Sequence, residues 1–92
     1  MIRSLRDRDS ERIWNRELVA KYRSCEKIAR RKLVMLHNAE NVKDLRSPPG
    51  NRLEALKGDR KGRYSIRINA QYRICFVWRE DGAHEVEITD YH

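Results

Sequence analysis

The sequence predicts an α+β fold in which N-terminal helices pack on one face of a small, mainly antiparallel, twisted sheet. Apolar residues recur at three- and four-residue spacing as far as Ala39, and after Gly50 they recur at every second position. Between the two regimes lies Ser47-Pro48-Pro49-Gly50, which no helix can cross. Helices first and an antiparallel meander afterwards give two layers around one core. At 92 residues the chain is expected to be a single domain, 1–92.

Met1 to Leu5, with Ile2 and Leu5 apolar, suffices for a short strand. A helix is expected from Asp9 or Ser10 as N-cap, with Glu11 in its first turn and Trp14, Leu18 and Tyr22 at four-residue spacing on one core-facing stripe. Ser24 is the expected cap of a second, stronger helix. Its apolar stripe is Cys25, Ile28, Ala29, Leu33, Met35, Leu36 and Ala39, and Glu26 favours its first turn. Val42 to Leu45 reads as one last turn.

The strands follow by alternation. Tyr64, Ile66 and Ile68 alternate with Ser65, Arg67 and Asn69; Tyr72, Ile74, Phe76 and Trp78 with Arg73, Cys75, Val77 and Arg79; Val86 and Ile88 with Glu85, Glu87 and Thr89. Asn69-Ala70-Gln71 fits a three-residue hairpin connection, and Glu80-Asp81-Gly82-Ala83 contains the Asp-Gly pair that type I′ turns favour. One sheet face is apolar and meets the helices. The other, carrying Arg67 and Arg73, is left for something polar.

Charge narrows the partners. Lys and Arg number 21 against 14 Asp and Glu, a net +7, which points to a polyanion, with RNA or DNA first. No long apolar run, signal-peptide core or clean basic amphipathic helix appears, so no membrane role is expected. Cys25 and Cys75 lack metal-ligand spacing and read as buried small hydrophobes of a reducing, cytoplasmic protein, with a disulfide or a nucleophilic thiol as the alternatives. Without a Gly-rich phosphate loop or a zinc signature, neither metal nor cofactor is expected. Lys27, Arg30, Arg31 and Lys32 on the second helix, with Arg67, are read either as a solvated face or as an RNA or ribosome footprint.

RNA cleavage by attack of a 2′-hydroxyl on the adjacent phosphate needs a base, cations for the phosphorane and an acid for the departing 5′-oxygen. The residue types are present. His92 suits proton transfer near neutrality, and Arg73 and Lys57 suit phosphate. Asp90 and Glu54 can act as base or orient a partner, while Tyr91 can stack on a base or bond the phosphate. The β pattern Glu85 to Thr89 runs straight into Asp90-Tyr91-His92, so these three are expected as a cluster held by a sheet, near Leu56-Lys57-Gly58-Asp59-Arg60 and Tyr72-Arg73. The plain alternative is a set of solvated polar groups. His37, near a helix C-terminus, and His84, beside a turn, need no chemistry.

Asn51 to Arg60 with its Leu-Lys-Gly-Asp-Arg element, Tyr64 to Asn69, Tyr72-Arg73-Ile74 within the run to Trp78, and Asp90-Tyr91-His92 together resemble the HigB branch of the RelE-like toxins. The helical half matches in length and order, so the resemblance covers nearly the whole chain. It implies a type II toxin–antitoxin toxin, a ribosome-dependent endonuclease that cuts mRNA without metal. It also implies a neighbouring helix-turn-helix, HigA-like antitoxin that neutralises the toxin and through which alone operator DNA is bound. By position, Lys57 and Arg73 resemble the family's phosphate-binding cations, and Asp90, Tyr91 and His92 its terminal cluster. At Glu54 the chain departs from relatives that have a histidine, so the identity of the base is open. Two other functions compete: a non-enzymatic poison of DNA gyrase on the same fold, and a plain RNA- or ribosome-binding module.

Overall fold

A computed structural model describes residues 1–56 and 62–90, so Lys57, Gly58, Asp59, Arg60, Lys61, Tyr91 and His92 lie outside the described residues. The described chain forms two α-helices, α1 (Arg8–Trp14) and α2 (Glu26–Asn38), and four strands, β1 (Glu54–Ala55), β2 (Arg63–Arg67), β3 (Tyr72–Arg79) and β4 (Gly82–Asp90). The strands pair in sequence order, each antiparallel to the next. The expected α+β architecture is the observed one.

The alternation read in the sequence decides the two sheet faces. Ile66, Ile74, Phe76, Val86 and Ile88 are buried against Ile13, Tyr22, Ala29, Leu33, Leu36 and Leu45 of the helical layer. Tyr22 meets Tyr72 edge-on with ring centroids 5.2 Å apart, a favoured aromatic geometry. The buried positions Ala29, Leu33 and Leu36 form the core-facing stripe of α2, while Ile28, expected on that stripe, lies at its margin and is 36% exposed.

The first helix is shorter than its apolar spacing suggests. It ends at Trp14, after which Arg16 adopts a left-handed φ of 65°. Leu18 is therefore 70% exposed rather than part of the core, and Tyr22 reaches the core from a separate 3₁₀ turn, Ala20–Tyr22. The cap differs too. Asp7, not Asp9 or Ser10, caps α1 by accepting the Ser10 amide proton at 2.7 Å. This frees the buried Ser10 hydroxyl to accept from the Ile88 amide at 2.9 Å. For α2 the cap position is Cys25, one residue after Ser24, without a side-chain bond. The turn at 42–46 is a 3₁₀ helix with an Asn41/Asp44 capping box.

Residues 2–5 pair with β4, but in parallel, through Ile2–Ala83 and Leu5–Val86 bridges. Here the short-strand expectation acquires a partner: this segment and the Ser10 hydroxyl cover the outer edge of β4, whose unpaired amides would otherwise be exposed. Ile2 N–H also donates to His37 Nδ1 at 3.1 Å, and the His37 ring lies 5.3 Å from Trp14, so His37 joins the N-terminus to α2 as an acceptor. The β3–β4 turn is Glu80-Asp81, because Gly82 already pairs with Arg79. Glycine is required there. Its φ is 130°, and a Cβ would stand 2.1 Å from Met1 O. At the β2–β3 turn, Asn69 Oδ1 accepts from the amides of Gln71 and Tyr72, both at 2.8 Å. Cys25 and Cys75 are free and buried, and burial raises the Cys25 thiol pKa. Among the described residues no helix is long and apolar enough to cross a membrane.

Candidate active site on the polar sheet face

The face turned away from the helices is polar, as its alternate positions foretell. The register sets Glu54 beside Ser65 and Ser65 beside Cys75, then Arg67 beside Arg73 and Arg73 beside Thr89. Arg73 is the centre of this face. It is only 6% exposed, and its Nε donates to Ser65 Oγ at 2.9 Å. Its Nη2 donates to the Arg52 carbonyl at 2.8 Å and lies 3.7 Å from Glu54 Oε2. A guanidinium stays charged when buried, so its desolvation demands such partners.

Arg67 and Arg73 are directly opposed. Two like charges at facing strand positions repel unless an anion joins them. Glu54, half exposed at 50%, supplies one negative group. Nearby, Arg63 of β2 pairs with Glu85 of β4, and Arg6 of the N-terminal segment with Glu87 of β4, each at 3.0 Å. Cys75 Sγ and Thr89 Oγ1 are 3.2 Å apart in the same surface.

The loop that delivers the Arg52 carbonyl is built around Asn51. This fully buried amide donates to the carbonyls of Leu45 and Ser47 at 3.1 and 3.2 Å and accepts from Lys32 Nζ. Arg52 follows in the left-handed region, φ 46° and ψ 54°. Lys32, expected in an RNA footprint, is therefore committed inward, and its pKa is lowered by burial and by the neighbouring Arg31. Arg30 is also engaged, donating to the carbonyls of Ile13 and Glu17 at 3.3 and 3.0 Å. Lys27 and Arg31 are exposed on α2, on the helical side of the molecule. Arg67 alone of the five lies on the face of Arg73.

Of the expected site, Glu54 and Arg73 come together, and Lys57, Tyr91 and His92 lie outside the described residues. Asp90 pairs with Tyr72, so strand alternation directs it to the side of Tyr72 rather than that of Arg73; its Oδ2 accepts from Gln71 Nε2 at 3.1 Å. Sequence reasoning passed over Ser65, Asn51 and Arg52. Ser65 had a signal, a small polar residue on the arginine-bearing face of an apolar strand. The Arg52 carbonyl had none, because a left-handed conformation at a residue other than glycine carries no compositional mark. Among the described residues no group of three or more His, Cys, Asp or Glu is arranged to hold a metal.

A family model described as the RelE-like toxin of the type II toxin-antitoxin system HigB matches residues 5–92. The chain belongs to this HigB-like toxin family. It is 56% identical over 48 residues to Toxin HigB-1 of Vibrio cholerae serotype O1, a stretch covering 52% of this chain and 50% of that protein. It is 46% identical over 55 residues to an uncharacterized protein of Haemophilus influenzae, covering 60% of this chain and 54% of that protein. The chain spans about half the length of the curated relatives it matches. The two-layer architecture with a four-stranded antiparallel sheet agrees with the RelE-like fold of HigB-like toxins.

Proposed function

We propose that this HigB-like chain is a ribosome-dependent mRNA endonuclease that inhibits translation in the cytoplasm. The observation that carries the reading is the buried Arg73 guanidinium on the polar sheet face, opposed by Arg67 and approached by Glu54 at 3.7 Å. Such a face suits a phosphodiester: a fixed cation with a second at the facing strand position for the charge that builds on the phosphorane, and a carboxylate within reach of the same centre. In the proposed reaction the 2′-hydroxyl gives up its proton and its oxygen attacks the adjacent phosphorus. The bond to the 5′-oxygen breaks, and that oxygen takes a proton, leaving a 2′,3′-cyclic phosphate and a 5′-hydroxyl.

Glu54 is assigned as the base, Arg73 and Lys57 as the phosphate cations, and His92 as the acid, with Tyr91 beside it; Asp90, on the Tyr72 side of β4, is given no part in the reaction. Family membership supports the further reading that a helix-turn-helix antitoxin neutralises the chain and carries the complex to operator DNA. Purified protein added to programmed ribosomes, followed by primer extension on the transcript, tests the proposal. Cleavage within the translated message is the expected result, abolished by Arg73→Ala and His92→Gln while both variants remain folded. Intact transcripts with the wild-type chain would overturn it, and DNA breaks with intact mRNA would identify a gyrase poison instead.

A further inference from the structure

We infer that Ser65 is a positioning residue for Arg73, a role that rests on the nuclease reading above. Ser65 occupies a central strand at 0% exposure, where an apolar residue would pack without any polar group to satisfy. Its hydroxyl instead accepts from Arg73 Nε at 2.9 Å. The Arg52 carbonyl takes the adjacent Nη2 at 2.8 Å, and the Ser65 carbonyl lies 3.5 Å from that same nitrogen. Two acceptors on one edge of a planar fork define its plane as well as its place. Without the Ser65 hydroxyl this bond at the Nε end of the edge is lost, while the Arg52 and Ser65 carbonyls still hold Nη2.

The two acceptors come from different parts of the fold. Ser65 is set by the β2–β3 register, which places it opposite Cys75, two positions along from the Arg67–Arg73 pair and so on the same face. The Arg52 carbonyl is set by the loop tied through Asn51 to Lys32 on α2. Arg73 is thereby held between the sheet and the helix-anchored loop, and the contribution of Ser65 is orientation of a charge that would remain present without it. Loss of the hydroxyl should lower the rate of the chemical step more than substrate binding, because a displaced but charged guanidinium still attracts phosphate.

Single-turnover cleavage of mRNA on programmed ribosomes separates these effects. Ser65→Ala is expected to lower the maximal rate by about tenfold or more, with half-saturation within about twofold of wild type. Ser65→Thr, which keeps the hydroxyl, restores the rate. A readout independent of catalysis is the Arg73 Nε–H resonance, identified by its disappearance in Arg73→Lys; it is expected to exchange slowly in wild type and Ser65→Thr and rapidly in Ser65→Ala. If Ser65→Ala does not fold, Ser65→Cys, close in volume but a far weaker acceptor, replaces it. Wild-type rate or undiminished Nε–H protection in a folded Ser65→Ala protein overturns the inference. A wild-type chain that cuts no transcript refutes only the nuclease reading, and the resonance still decides whether Ser65 fixes Arg73.

Discussion

Replacing Asn51 with alanine tests the idea that a single buried amide holds the loop beneath the site. The substitution removes donation to the Leu45 and Ser47 carbonyls and the bond accepted from Lys32 Nζ. Each is a net contribution of about 1 kcal/mol, within a range of about 0.5–1.5 kcal/mol. Three such bonds come to about 3 kcal/mol, with the 3.2 Å contact to the Met35 sulfur left out as weak. For a domain of this size 1 kcal/mol moves Tm by about 4–8 °C, so a fall of roughly 12–24 °C is expected. Urea unfolding followed by far-UV circular dichroism measures the loss directly, and an unchanged slope shows that the same surface is exposed in both proteins. A loss under about 1 kcal/mol would refute the reasoning, since it would mean that the loop stands without its amide.

Two further outcomes follow from the same structure. Glu54→Gln should change stability by less than about 1 kcal/mol, because the carboxylate is half exposed and Arg73 keeps Ser65 and Arg52, yet it should slow transcript cleavage by about tenfold or more if Glu54 is the base; equal rates across neutral pH would remove Glu54 from the reaction. Asp81 has its pKa held below 3.8 by the hydrogen bond with His84 first, with smaller help from the charges of His84 and Arg3. A carboxyl depressed in the folded state adds stability above its unfolded pKa and loses it as pH falls through the folded value, so the stability gap between wild type and Asp81→Asn should close below pH 3.8. A gap that stays constant through acid titration contradicts that assignment.

Much of the fold was legible because its signals are local. Alternation in Tyr64 to Ile68 and Tyr72 to Trp78 depends only on which side of a pleat each residue takes, and the sheet follows it. The α2 stripe through Ala29, Leu33 and Leu36 was equally plain. The first helix misled for a physical reason: Leu18 keeps the spacing of a stripe, but the left-handed turn at Arg16 ends the helix before that spacing applies. Ser10 looked like a cap because serine caps helices, whereas a long-range demand, the Ile88 amide at the sheet edge, claims its hydroxyl.

The same division runs through the candidate site. By itself the sequence determined that a polar sheet face would carry Arg67 and Arg73, and that Glu54, Lys57, Asp90, Tyr91 and His92 have the chemistry to serve them. Only tertiary structure decided that Arg73 is buried, that its fork is held by Ser65 and the Arg52 carbonyl, and that Asp90 leaves its strand toward the side of Tyr72. Periodicity is a property of neighbours along the chain. The surroundings of a buried charge are assembled from a strand, a strained loop and the helix that anchors it, which meet only when the chain folds.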